Sequence, residues 1–320
     1  MPVDLYLPHG MAQSPVLYVS YGRLWLMGID VHALQLLRWA SLKSNGLGKV
    51  ATIGRQGVNV PARELTKHVS LPPDYQYPRY CEDLLVKVFG AERVDSFDNS
   101  DFEGCTFVAD FNKPLASPCQ YTTVIDFGCV EHIYNVPQAM KNISLLCADG
   151  GQILHCLPAN NFCGHGFWQF SPELFFSLYS KQNGYSETQV FVVNIADETV
   201  WYEVIAPRNG KRVAMWSDTP LYVLCRTVQR GDFSHENVQQ SDYVFMWNKD
   251  TEGAVSTNAQ TLHSSLTAAL KRNKFARLIY RKLAVLLGLK DDGLRRNPSL
   301  IKRHVSDLIL NLLPRASQRR

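Results

Sequence analysis

The feature that most constrains this chain is a strand, a helix and a second strand packed between Tyr121 and Leu157. Tyr121 to Phe127 (YTTVIDF) is β-branched and aromatic and reads as a buried strand that runs into Gly128. A helix follows, with Asn135 at its cap and Pro137 in its first turn. Val136, Ala139, Met140, Ile143, Leu146 and Cys147 recur at helical spacing until Asp149-Gly150-Gly151 stops it. Gln152 to Leu157 is a second apolar strand, closed by Pro158. Two strands joined by a crossover helix lie parallel, and the right-handed crossover brings both strand ends to one edge of the sheet. Ligands of open α/β sheets bind at that carboxyl edge. Glu131-His132 after the first strand, and Asn160-Asn161 with His165 after the second, are therefore expected to face one crevice.

The remainder of the chain is compatible with a large α/β core. Its 320 residues are 46% hydrophobic, enough to bury a full core and far from the composition of a disordered protein. No stretch reaches the roughly 18 apolar residues of a membrane-spanning helix, and MPVDLYLPHG lacks the basic start and apolar run of a secretory signal, so a cytoplasmic location is expected. The eight cysteines show no CxxC spacing, and reduced, mostly buried thiols are expected. Charge is divided unevenly. Residues 261–320 hold fourteen Lys and Arg against three Asp, whereas the preceding 260 residues hold nineteen basic and twenty-six acidic side chains. Apolar residues at helical spacing run through that tail (Leu266, Leu270, Leu283, Leu287, Leu300, Ile301, Val305, Leu308, Ile309). It is expected as a basic helical extension, a candidate for self-association or peripheral membrane contact, with no nucleic-acid partner.

The run VIDFGCVEHI, a helix, and then DGGQILHCLP resembles the fourth strand, following helix and fifth strand of the class I S-adenosylmethionine-dependent methyltransferases. The block PANNFCGHGFWQFSPELF resembles an uncharacterised bacterial branch of methyltransferase-domain proteins. The resemblance covers about half the chain, roughly Lys49 to Arg230. It implies a Rossmann-like, doubly wound, mostly parallel sheet with helices on both faces, to which the helical C-terminal extension is added. The expected organisation is a helical lead-in over 1–48, the methyltransferase domain over 49–230, a linker over 231–260 and the basic extension over 261–320. In the lead-in, Asp30 caps a helix that Asn45-Gly46 ends. Pro220 to Gln229 is expected as the family's late strand, inserted antiparallel, and the segment with Trp201, Tyr202 and Trp216 as a cover over the pocket.

The resemblance also implies S-adenosyl-L-methionine as cofactor and assigns its residues. KVATIGRQG (Lys49 to Gly57) matches the first strand and cofactor loop, with Gly54 and Gly57 admitting close approach and Arg55 and Gln56 available for the methionine carboxylate. Thr52 stands where the family has an acidic residue, and Gln56 where it has a second glycine. Asp98, 44 residues beyond Gly54 and so after an insertion, ends the second strand and would take the ribose hydroxyls. Asp110 would take the adenine amino group and Phe111 pack on its ring, with Phe127 beside the cofactor at the end of the fourth strand. Asp110 and Asn112 are equally what a loop needs to satisfy its own backbone.

On the acceptor side, His132 is a candidate general base and Glu131 a structural or positioning group, with His165 completing the catalytic set. Asn160, Asn161, Trp168 and Gln169 are expected to form the acceptor wall for a small-molecule or glycan-type acceptor. His155-Cys156 and Cys163-Gly164-His165 lack the spacing of zinc ligands, and no metal is expected from them. Two other readings stand beside methyl transfer. One is a non-catalytic, methyltransferase-like binding or regulatory protein with a degenerate cofactor loop. The other is a nicotinamide-dependent oxidoreductase, weakened by the missing G-x-G-x-x-G.

Overall fold

The computed structural model describes residues 28–116, 120–251, 294 and 297–313. Helix α1 (Val31–Ser44) opens where the Asp30 carboxylate accepts the Ala33 N–H at 2.9 Å, and closes at Asn45 in the left-handed region (φ 55°). It leads into β1 (Gly48–Ile53). The insertion before the second strand folds as α2 (Ala62–His68) and α3 (Glu82–Phe89), and β2 (Ala91–Asp98) follows. Of the strand expected over Cys105 to Asp110, only β3 (Phe107–Val108) forms. The central unit is β4 (Tyr121–Phe127), α4 (Val136–Leu146) and β5 (Cys147–Asn160). Asn135 does not cap α4 through its side chain; its N–H and Nδ2 bind Asn112 instead, tying two loops together. Then come α5 (Pro172–Leu178), β6 (Tyr185–Asn194), β7 (Val200–Val204), β8 (Leu221–Gln229), α6 (Ser241–Thr251), β9 (Leu300–His304) and α7 (Val305–Leu310).

The strands form one sheet in the order β3-β2-β1-β4-β5-β8-β6-β7-β9. Pairings among β1 to β5 are parallel, whereas β8, β6, β7 and β9 join antiparallel. The expectation of a mostly parallel sheet is thus corrected to a mixed sheet with a parallel half. The short link between β6 and β7 can only make an antiparallel hairpin, and β8 enters antiparallel between β5 and β6, as expected for Pro220 to Gln229. Side-chain alternation along β4 and β5 divides the core. Ile125 and Leu154 face Leu34, Leu37 and Leu85 of the helices on one side; Val124 and Ile153 face Met140, Ile143 and Phe175 on the other. Helices therefore cover both faces.

Two further expectations are corrected. Leu300 and Ile301, expected in a helix, lie in β9, which pairs Val200↔His304 through Val204↔Leu300 and satisfies the open edge of β7. Val305 and Ile309 of α7 then insert into the core beside α1. The segment expected as a linker contains α6. Trp201 and Tyr202, expected to cover a pocket, are core residues of β7, and Trp201 packs against Phe191 and Trp39 at ring distances of 5.3 and 6.5 Å. Residues 261–293, where most of the basic helical extension was expected, lie outside the described residues. Among the described residues no helix is long and apolar enough to cross a membrane. The seven described cysteines are free thiols.

Candidate active site

The sheet reverses its winding between β1 and β4, so the loops that follow these two strands diverge and leave a crevice at the carboxyl edge. Gly54 ends β1 with φ 73°, a conformation that favours glycine, and a Cβ there would stand 3.6 Å from Cys129 Sγ in the loop after β4. Gln56 is buried inside the same turn. Its Nε2 donates to Ile53 O at 2.7 Å, and its Oε1 has no hydrogen-bond partner. Thr52 Oγ1, just before the turn, is likewise buried without a partner. Asp98, on the neighbouring β2, places Oδ2 3.4 Å from the Arg55 N–H, so the end of β2 lies against the turn that carries Gly54. Gly57 lies farther along, where its carbonyl accepts the Ile29 N–H.

The other residues expected around a cofactor are engaged elsewhere. The Arg55 guanidinium binds Glu82 at 2.8 Å and the carbonyls of Glu103 and Gly104 at 2.6 and 2.9 Å, and stacks on Tyr80. It clamps the insertion rather than presenting a free fork to a carboxylate. Asp110 accepts from the Asn112 N–H and Nδ2 and pairs with Lys113 at 3.1 Å; these partners, Asn112 first, hold its carboxyl below the usual range. Phe111 packs edge-on against Phe97, and Phe111 and Phe127 are both core residues.

Behind the loop after β4 lies a buried chain of hydrogen bonds. Asp126 Oδ2 is 2.8 Å from His155 Nδ1, and His155 Nε2 is 2.7 Å from the Tyr179 hydroxyl. The other oxygen of Asp126 accepts the Cys129 and Val130 N–H groups and so fixes the turn that carries Glu131 and His132. The loop after β5 closes on this turn. Phe167 and Trp168 donate their backbone N–H groups to Glu131 O at 2.8 and 3.2 Å, and Trp168 Nε1 donates to Ile133 O. His165 Nε2 and His132 Nε2 stand 3.5 and 3.8 Å from Glu131 Oε1. The three expected catalytic side chains are thus brought together. Glu131 is fully buried, and its burial pushes the carboxyl up against the pull of His165, with the charge of Asp126 acting in the same upward sense. Burial, followed by His165, lowers the His132 imidazole.

The expected acceptor residues separate into two groups. Asn161 (φ 60°) donates to Ser217 O and Thr219 O, Gln169 Oε1 accepts the Phe162 N–H, and Asn160 sits in the β5–β8 ladder; these shape the loop from within. Trp168, by contrast, is part of an exposed aromatic set with Tyr134 and Phe167, whose rings lie 6.3 and 6.4 Å from Tyr134. Tyr134, Phe167, Asp126 and Tyr179 were not singled out from sequence. Aromatic residues in the loops just past two predicted strand ends were an available signal for the first two; nothing local marked the others. A cavity of about 790 Å³ is lined by Tyr179, Tyr185, Glu187 and Arg230, but it lies at the opposite edge, where β6 begins and β8 ends. The ionisable groups converge at the carboxyl edge instead, which makes that edge the candidate site.

These features define an α/β protein, wound on both faces of a mixed sheet, with an ionisable cluster at the switch point of the sheet. No family model and no curated protein matches the chain. Solved structures similar to it are class I S-adenosylmethionine-dependent methyltransferases at low identity. The N-methyltransferase NodS from Bradyrhizobium japonicum is 15% identical, with 61% of this chain and 93% of that chain covered and a TM-score of 0.36. TehB from Haemophilus influenzae is 15% identical, with 61% of each chain covered and a TM-score of 0.35. The 1,6-didemethyltoxoflavin-N1-methyltransferase from Burkholderia thailandensis is 14% identical, with 72% and 94% covered and a TM-score of 0.35. Likeness at this level carries no argument about the reaction of this chain.

Proposed function

We propose that the chain transfers a methyl group from S-adenosyl-L-methionine to a small-molecule or carbohydrate-like acceptor. The observation that carries this reading is the approach of Gly54 to Cys129 at the switch point. It sets a turn suited to a nucleoside ligand beside the turn that bears Glu131 and His132. The donor set fits the cofactor. Asp98 offers carboxylate oxygens to a ribose diol at a strand end. Gln56 Oε1, buried and without a hydrogen-bond partner, is an acceptor suited to an ammonium group. Gly54, at positive φ, lets the backbone approach the ligand. Arg55, Asp110, Phe111 and Phe127 enter this reading as supports of the loops.

When bound, the cofactor would supply a methyl group already activated on a sulfonium. The protein's own task is then to hold the acceptor heteroatom in line and receive its proton. His132, with a half-exposed side chain, is placed to accept that proton, while Glu131 and His165 orient it. Tyr134, Phe167 and Trp168 offer apolar ring faces against which a sugar or aromatic acceptor can lie.

Calorimetry with S-adenosylmethionine and its demethylated product tests the donor site. Asp98→Ala should weaken binding by about 1.5 to 3 kcal/mol, the value of hydrogen bonds to a charged group. Absence of both heat and thermal shift at millimolar cofactor overturns the reading. The engagement of Arg55 and the neutral Thr52 before the turn favour a second reading, a binding protein without turnover. Cofactor binding with no methyl transfer across an acceptor screen would select it.

A further inference from the structure

Glu131, His132 and His165 are spaced like ligands of one ion. Glu131 Oε1 lies 3.5 Å from His165 Nε2 and 3.8 Å from His132 Nε2, and ligand atoms of all three fall within 4.8 Å of one another. Nitrogen and oxygen ligands bonded at about 2.0 to 2.2 Å in tetrahedral geometry stand about 3.3 to 3.6 Å apart. The side chain of His132 is 47% exposed, which leaves its ring room to make the small rotation that closes the set.

A second observation concerns Glu131 itself. Its side chain is wholly buried, and its nearest partner is the His165 imidazole at 3.5 Å, a long contact that leaves both carboxylate oxygens short of an ordinary hydrogen bond. Its backbone carbonyl, by contrast, is fully used by Phe167 and Trp168. A buried carboxylate needs a compensating partner, and what faces this one is a pair of imidazoles.

We propose that Glu131, His132 and His165 bind a divalent transition-metal ion of the zinc class at the carboxyl edge of the sheet. Two imidazoles and one carboxylate suit zinc and its neighbours, whereas magnesium and calcium favour all-oxygen sets. Three protein ligands leave a coordination position open, as in catalytic rather than structural sites, and the exposed side of His132 gives solvent access to it. On the methyltransferase reading, on which this role but not the binding rests, that position would take the acceptor's hydroxyl oxygen and ease loss of its proton to solvent, and with the ion bound His132 would act as a ligand in place of its role as proton acceptor. Local spacing did not reveal the set because its members sit on the loops of two different strands.

The test uses the full-length chain, stripped with chelator and titrated with zinc chloride by calorimetry in the absence of cofactor and acceptor. Cobalt(II) loading, read by visible absorption, reports the ligand set independently. One equivalent is expected per chain. His132→Ala, His165→Ala and Glu131→Gln should each weaken zinc binding at least about tenfold and alter the cobalt spectrum, while His68→Ala changes neither. Circular dichroism identifies any variant that fails to fold, and the exposed His132 variant then decides. Absence of a stoichiometric ion, or unchanged affinity in the folded variants, overturns the proposal. Since neither cofactor nor acceptor is present, this result is independent of whether S-adenosylmethionine binds.

Discussion

Gly166 lies directly against Glu131: a Cβ at Gly166 would stand 2.9 Å from the Glu131 carbonyl oxygen and 3.0 Å from its Cγ. This close approach lets the loop after β5 deliver the Phe167 and Trp168 N–H groups to Glu131 and bring His165 to its carboxylate. Gly166→Ala should therefore push the two loops apart and cost about 1 to 3 kcal/mol, the range for overpacking a close contact. Denaturant unfolding measures the cost, and wild-type stability in the variant would contradict the contact.

The buried chain Asp126, His155 and Tyr179 supports the same turn from behind. Replacing His155 with Leu strands the Asp126 carboxylate in the core and should destabilise the fold by about 3 to 5 kcal/mol. Tyr179→Phe removes one hydrogen bond and should cost about 1 kcal/mol. Equal losses in the two variants, read from urea midpoints, would show that the chain does not act as described.

If the exposed aromatic set receives the acceptor, Trp168→Ala should raise the acceptor KM while leaving cofactor affinity unchanged. Tyr134→Ala should act in the same direction. A fall in cofactor affinity instead would place these rings on the donor side.

A pH effect is expected from His235. It contacts Ser144 Oγ and the Tyr185 hydroxyl at 3.1 and 3.2 Å, and burial, aided by the charge of Lys141, lowers its pKa to about 4. An unfolded histidine titrates near 6.5. Between these values the unfolded chain binds more protons, so the contribution is complete above about pH 6.5 and is lost as pH falls toward about 4. The thermal midpoint of wild type should drop more steeply across this window than that of His235→Gln. Parallel profiles would show that His235 is not the group responsible.

The sequence by itself determined the parallel half of the sheet and the edge to which Glu131, His132 and His165 are carried. Apolar runs of strand length at Tyr121 to Phe127 and Gln152 to Leu157, with a helical period between them, leave one way to bury both apolar faces. That arrangement sends Glu131, His132 and His165 to the same edge. The cap at Asp30 and the stop at Asn45 were equally legible, since both act within one turn of chain. Tertiary structure decided the rest. Leu300 to His304 belongs to a run whose apolar residues are spaced to suit a helix, and it became a strand because β7 offered an unpaired edge about a hundred positions away. Arg55 looked free for a carboxylate until the insertion brought Glu82 to it and the loop after β2 brought the carbonyls of Glu103 and Gly104. Local patterns report which face of an element is apolar and where it must turn. They carry no information on which remote donor, acceptor or glycine will meet it, and those contacts set the distances within the site.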